Sequence, residues 1–249
     1  MNTETRRTTL TTTDELRFEI PLYTVSDAAR IVGVSASTLT TWAKGYVRRP
    51  PGRPVVSGDP VVTYLEPERH GAPVIPFVGL AESMVLAAVR RSGVPTQRIR
   101  PALDALEQEI GVEHALASRR LYSDGAELLF EYGDRHRGSS EGDSALELVV
   151  VRSRQTVFAD SLAAYLRRIE YGTDGYASLI HVPVYKHADV VADPTRAFGA
   201  PIFERGGVRV SDVLERFWAG ESLEDLSDDF GVPLDQLEDV LRVASRRAA

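Results

Sequence analysis

From Thr24 to Lys44 the chain carries two helix starts and one enforced turn, a spacing that leaves few folds open. Thr24, with Asp27 three residues on, resembles a capping box, in which a side-chain oxygen accepts from an orphan N–H of the first helical turn. Val25, Ala28, Ala29 and Val32 then share one face at the helical period. Gly33-Val34 interrupts the run. Ser35 caps a second helix that extends to about Lys44, with Leu39 and Trp42 facing inward. Two short helices about a glycine turn make a helix-turn-helix unit.

Beyond Gly45, the cluster Pro50-Pro51-Gly52-Arg53-Pro54 bars helix. Val55-Val56 and Val61 to Leu65, separated by Ser57-Gly58-Asp59-Pro60, read as the two strands of a hairpin, which directly after a helix-turn-helix is a wing. Val74 to Val78 suggests a further short strand. Helices are expected over Gly79 to Arg91 and from Pro95 to Gly111. Arg119 to Tyr122 and Glu127 to Tyr132 flank Ser123-Asp124-Gly125 and read as a second hairpin. Leu146 to Val151 and Leu179 to Tyr185 read as strands, and Asp160 to Ile169 as a helix. From Ser211 three helices are expected, ending near Gly220, Gly231 and Arg247. The fold class is therefore α+β and mostly helical: a winged helix-turn-helix domain plus a C-terminal three-helix domain, with a small β element between. The expected divisions are a flexible arm (1–21), the DNA-binding region (22–132), a loop (133–144), a small α/β connection (145–192) and a trihelical partner-binding domain (193–249).

The net charge of −7 conceals a segregation. Ala28 to Gly58 holds Arg30, Lys44, Arg48, Arg49 and Arg53 and no acid, whereas Asp212 to Asp239 holds ten acids and a single base, Arg216. The first segment can approach a polyanion; the second repels one. A helix entering the major groove must carry donors and present no carboxylate to phosphate. With Leu39 and Trp42 committed to the core, Ser35, Ser37, Thr38, Thr40, Thr41 and Lys44 remain for base edges or phosphates. Arg48, Arg49 and Arg53, at the start of the wing, can meet the backbone or the minor groove. Ser222 to Leu241 repeats the same layout around Gly231-Val232, but Asp235, Glu238 and Asp239 exclude a second DNA reader. Leu223, Leu226, Phe230, Leu234, Leu237, Val240 and Leu241 should build a small core there, under either a solvated acidic face or a protein interface.

The absence of cysteine excludes a disulfide scaffold, a Cys-ligated zinc site and a thiol nucleophile. No apolar run approaches membrane-helix length, and the Thr-rich N-terminus lacks the apolar core of a secretory signal, so the cytoplasm is the expected compartment. Gly138-Ser139-Ser140-Glu141-Gly142 matches the string of a hydrolase nucleophile, but within a hydrophilic segment rather than on a strand-to-helix turn. His181, His187 and Asp189 share parity along an expected strand. Six residues of continuous strand would hold the two histidines about 20 Å apart, too far for one ion. No enzyme, cofactor or metal site is assigned.

Tyr23-Thr24-Val25-Ser26-Asp27-Ala28-Ala29 to Trp42, with Gly79-Leu80-Ala81-Glu82-Ser83-Met84 to Arg100, resembles the winged helix-turn-helix of MerR-like regulators. Asp193-Pro194, Phe198 to Phe203, Val208 to Val210 and Phe217 to Gly231 resemble the small helical domain of many predicted antitoxins. The two joined are similar to the antitoxin half of one branch of VapBC toxin–antitoxin pairs. That resemblance implies a repressor that binds operator DNA and silences a PIN-domain ribonuclease toxin; near-palindromic operators imply a homodimer. Antitoxins of that class often fill the toxin's acidic, metal-binding cleft with arginine. By analogy Arg242, Arg246 or Arg247 would do so, unless they serve only as cations at a helix C-terminus. The alternative is a stand-alone MerR-like regulator that senses a small molecule through residues 79–185.

Overall fold

The computed structural model describes residues 12–49, 52, 55–152 and 155–248, so Arg53 lies outside the described residues. Part of the expected arm is a docked helix, α1 (Thr13–Phe18), opened by a capping box between Thr12 and Glu15. Its Arg17 is buried and bridges Asp14 at 2.7 Å and Asp174. Phe18 stands edge-on against Tyr176, with ring centres 5.3 Å apart. The polar, threonine-rich composition hid this element because its anchor lies far along the chain.

The helix-turn-helix forms as its caps dictate: α2 (Val25–Val32) begins at Thr24 and α3 (Ala36–Lys44) at Ser35. Between them Gly33 takes φ 74° and ψ 42°, the left-handed conformation that only glycine enters without cost. The wing exists but is shifted: β1 (Tyr46–Arg48) pairs antiparallel with β2 (Val56–Gly58), Tyr46 opposite Gly58. The expected strand over Val61 to Leu65 is not one. Its backbone is satisfied piecemeal, Val61 N–H by the Trp42 carbonyl at 2.8 Å and Leu65 N–H by Val74 at 2.8 Å, so it runs as an extended strap across neighbouring elements. Likewise Val74 to Val78 contributes only an isolated bridge, Ile75 to Tyr23, before helix begins at Phe77.

That helix, α4 (Phe77–Arg91), is buried at every position from Phe77 to Val89. A helix apolar all round must be enclosed, and α4 touches α1, α2 and several later elements. Next come α5 (Thr96–Ile110), α6 (Arg119–Arg135) and α7 (Ser140–Glu147), packed as a trio. The expected second hairpin and the loop over 133–144 are thus largely helical. Leu121, Gly125, Leu129 and Tyr132 of α6 are buried at helical spacing. Gly133 admits α7 so closely that a Cβ there would sit 2.6 Å from Leu146 Cγ. Ser123-Asp124-Gly125 is a turn signal only when the flanking apolar pattern has period two.

The hairpin of β3 (Val149–Arg152) and β4 (Gln155–Phe158) leads to α8 (Asp160–Leu166), which packs on α4. A four-stranded antiparallel meander follows: β5 (Ile169–Tyr171), β6 (Ala177–His181), β7 (Val190–Ala192) and β8 (Ile202–Phe203). The expected strand to Tyr185 ends at His181, where the chain reverses. The C-terminal bundle matches expectation: α9 (Val210–Trp218), α10 (Leu223–Phe230) and α11 (Leu234–Ala248). It is not set apart by a linker at 192/193, because β7 and β8 pair across that point.

One polar cluster interrupts the apolar interior. Glu82, buried on α4, accepts from the Thr63 N–H at 2.6 Å and hydroxyl at 3.0 Å, and its Oε1 lies 3.0 Å from His114 Nδ1. It therefore ties the strap to α4 and to the segment after α5. The hydrogen bond to Glu82 raises the His114 pKa. Burial, with Glu82 and Asp104 nearby, pushes the Glu107 carboxyl up to about 7. The folded state thus holds protons that the unfolded chain releases. Glu107 penalises folding increasingly as pH rises from its ordinary value toward 7, and the His114 contribution is full below about 6.5 and lost above its raised pKa. Glu107→Gln should therefore be neutral near pH 5 and, after allowance for solvent screening, stabilising by roughly 1 kcal/mol near pH 8. Thermal melts at the two pH values check this.

Candidate nucleic-acid interface

Helix α3 lies at the surface. Leu39, Trp42 and Ala43 anchor it in the core, while Ser35, Ala36, Ser37, Thr40 and Lys44 are exposed and Thr38 and Thr41 half-buried. Its hydroxyls are locally ordered: Thr40 Oγ1 donates to the Ala36 carbonyl at 2.8 Å and Thr41 Oγ1 to the Ser37 carbonyl at 2.9 Å. Ser35 Oγ caps Thr38 N–H at 3.2 Å and lies 3.0 Å from Ser37 Oγ. With their protons held by the helix, the Thr40 and Thr41 hydroxyl oxygens keep only acceptor capacity, which suits exocyclic amino groups at base edges. The Lys44 ammonium sits 4.9 Å above the Tyr64 ring and, among the described residues, has no ion pair with an acid. Arg49 is exposed just past β1, and Arg48 belongs to β1 itself; the Arg48 side chain lies outside the described set.

The structure adds residues that sequence reasoning did not assign. A groove of about 510 Å³ separates α3 from the start of α5, lined by Ser37, Thr41, Tyr46, Arg90, Gln97 and Arg100 among others. Helix α5 begins after Pro95 with no side-chain cap and no acid in its first turn. Its free N–H groups and positive dipole end therefore open beside α3, an arrangement that favours phosphate. Arg100 donates to the Asp59 carbonyl and so fixes the foot of the wing. Arg91 reaches the Val32 and Gly33 carbonyls, each at 3.2 Å, and stacks 4.7 Å over Tyr165. The signal for the groove was visible as Arg90, Arg91, Arg98 and Arg100 around Pro95; only the fold sets it next to α3.

The acidic segment contains groups with structural roles. Asp239 is not part of a solvated acidic face. It is buried and accepts from the Lys186, His187 and Ala188 N–H groups at 2.7, 2.8 and 3.1 Å, clamping α11 to the turn after β6. Arg242 stays within α11, 3.9 Å from Glu238 and 3.7 Å from Asp239. Arg246 is exposed and borders a cleft shared with Ser26, Gly33 and Val243; the Arg247 side chain lies outside the described set. An apolar hollow of about 750 Å³ opens nearby between Tyr185, Pro201, Val210, Leu214, Trp218 and Val243. At its rim Trp218 is 65% exposed, and Phe198, held at φ 52° and 72% exposed, lines an adjoining hollow that shares Tyr185, Ala200 and Pro201 with it. The hydrolase-like string is only a helix start: Ser139 caps α7, Ser140 opens it, and a helix rather than a strand precedes it.

Residues 21–103 match a family described as "Putative DNA-binding HTH domain", and residues 190–244 match a family of unknown function, DUF433. The chain is 47% identical over 228 residues to a Mycobacterium tuberculosis protein named "Putative antitoxin VapB45", covering 91% of this chain and 95% of that one. A second protein of that organism, Rv2308, is 27% identical over 225 residues, covering 88% of each. The crystal structure of Rv2018 from M. tuberculosis superposes with a TM-score of 0.79 at 44% identity, spanning 91% of this chain and all of that one. No helix among the described residues is long and apolar enough to cross a membrane.

The Asp239 clamp gives a direct test of the C-terminal architecture. Replacing it with Ala strands three N–H groups and should cost about 3 kcal/mol at neutral pH, at roughly 1 kcal/mol or more each. Asp239 titrates below its ordinary value, so its contribution is present above about pH 4 and fades as acid reaches the depressed pKa. Urea unfolding at pH 7 should show the deficit, and the same comparison near pH 3 should show it shrinking.

Proposed function

The chain belongs to the VapB45 antitoxin family, and from that we propose that it represses its own operon by binding operator DNA and neutralises a cognate PIN-domain ribonuclease toxin. The observation that carries the DNA half is the exposed, acid-free α3 beside the uncapped start of α5. Hydroxyls and Lys44 read or grip the major groove, while Arg48 and Arg49 of the wing, together with Arg53 and Arg90, hold phosphates. A homodimer would place two such units on the halves of a near-palindromic operator. The toxin half rests on the apolar hollow at Trp218, on the opposite charge regime from α3. A toxin seated there would cover Trp218 and Phe198, and Arg246, on the neighbouring cleft, is the α11 cation best placed to enter an acidic active site. No catalytic role is assigned.

Two readouts separate the halves. In gel-shift titrations at several salt concentrations, Lys44→Ala or Arg49→Ala should weaken operator binding and reduce the log–log salt slope by about one unit per lost phosphate contact. Unchanged affinity and slope would remove those residues from the interface. Co-purification with the toxin should fail for Trp218→Ala with Phe198→Ala in the full chain, while operator binding persists. A protein that binds operator alone and responds to a small molecule, with no partner retained, would favour the stand-alone regulator.

A further inference from the structure

The turn after β6 brings together groups that a straight strand would hold apart. His181 pairs with Val191 across β6 and β7, and Val190 pairs with Phe203 across β7 and β8. Alternation along each strand therefore puts His181, Asp189 and Glu204 on one face of the sheet. The Glu204 N–H donates to the Asp189 carbonyl at 2.8 Å, so the ladder continues and these two carboxylates stand opposite each other. One ligand atom from each of His181, Asp189 and Glu204 lies within 4.8 Å of the other two.

We propose that His181, Asp189 and Glu204 form a binding site for a divalent first-row transition cation, Zn²⁺ being the best match. One imidazole nitrogen and two carboxylate oxygens suit Zn²⁺, with water completing the shell of a site open to solvent. The charges ask for a cation: like-charged side chains directly across an antiparallel pair repel, and among the described residues neither carboxylate has an ion pair or a side-chain hydrogen bond. The Arg196 guanidinium meets Glu204 at its backbone carbonyl, 3.4 Å away, rather than at the carboxylate. A further group prepares the imidazole. Glu170, on β5, lies 3.0 Å from His181 Nε2. A carboxylate accepting that N–H fixes the tautomer and leaves the Nδ1 lone pair for the metal, the usual outer-shell support of a ligating histidine. Strands β5 and β6 thus supply Glu170 and His181, and the residue just before β7 and the one just after β8 supply Asp189 and Glu204. The ion would clasp β6, β7 and β8 together just ahead of α9 and its apolar hollow.

Isothermal titration of chelator-treated, full-length protein with ZnCl₂, with MgCl₂ as the contrast, tests the site. One equivalent of Zn²⁺ should bind with micromolar or tighter affinity, and Mg²⁺ should not compete. His181→Ala, and Asp189→Asn with Glu204→Gln, should each weaken binding at least about tenfold. His70→Ala, an exposed histidine elsewhere, should leave it unchanged. Circular dichroism melts of the metal-free variants show whether they fold, and Co²⁺ absorption in the folded wild type gives a readout independent of any substitution. No saturable binding, or binding that His181→Ala leaves intact, would overturn the proposal.

Discussion

The enclosure of α4 is the constraint from which the rest of the molecule follows. A helix buried on every side has no solvent-facing stripe on which to place a charge, yet this one carries Glu82. A buried carboxylate without partners costs several kcal/mol, and the strap at Thr63 and the ring of His114 supply them. The wing must therefore return across α4 rather than form a longer hairpin, and the chain after α5 must bring His114 in at φ 55°. The same helix supports both α2 and α8, and Arg91 at its C-terminal end touches each of them. Elements from both halves of the chain are thus mounted on one buried helix.

What could be read along the chain was what is decided locally. Thr24 and Ser35 act as caps, Gly33 and Gly231 as left-handed stops, and the three C-terminal helices begin and end close to the expected places. These features depend on neighbours within four residues, so the sequence carries them in full. The errors have the opposite origin. Val61 to Leu65 alternates like a strand, but its partners, Trp42, Val74 and Glu82, are remote in sequence and belong to no single neighbouring strand. The Ser-Asp-Gly signal near 123 was overridden by packing against α5 and α7, as a turn preference worth about 1 kcal/mol per residue often is. Arg17, in a segment expected to be loose, is held by Asp174, more than a hundred and fifty residues away.

The candidate interface divides in the same manner. The α3 side chains were legible because one helical period decides which of them face out. The groove beside them was not, since it depends on the start of α5 lying against α3. Asp239 shows the reverse failure. In sequence it is one of ten acids in a polar segment; in space it is the acceptor for a turn some fifty residues earlier. Charge pattern identifies the regime of a surface, but individual members of the pattern can be structural.

The phenol of Tyr23 joins the start of α2 to the Gly199 carbonyl at 2.9 Å, next to the exposed and strained Phe198. A rigid ring thus runs from the first residue ahead of the DNA-facing unit to the loop beside the apolar hollow. Whatever shifts that loop must either break this bond or pull the front of α2 with it.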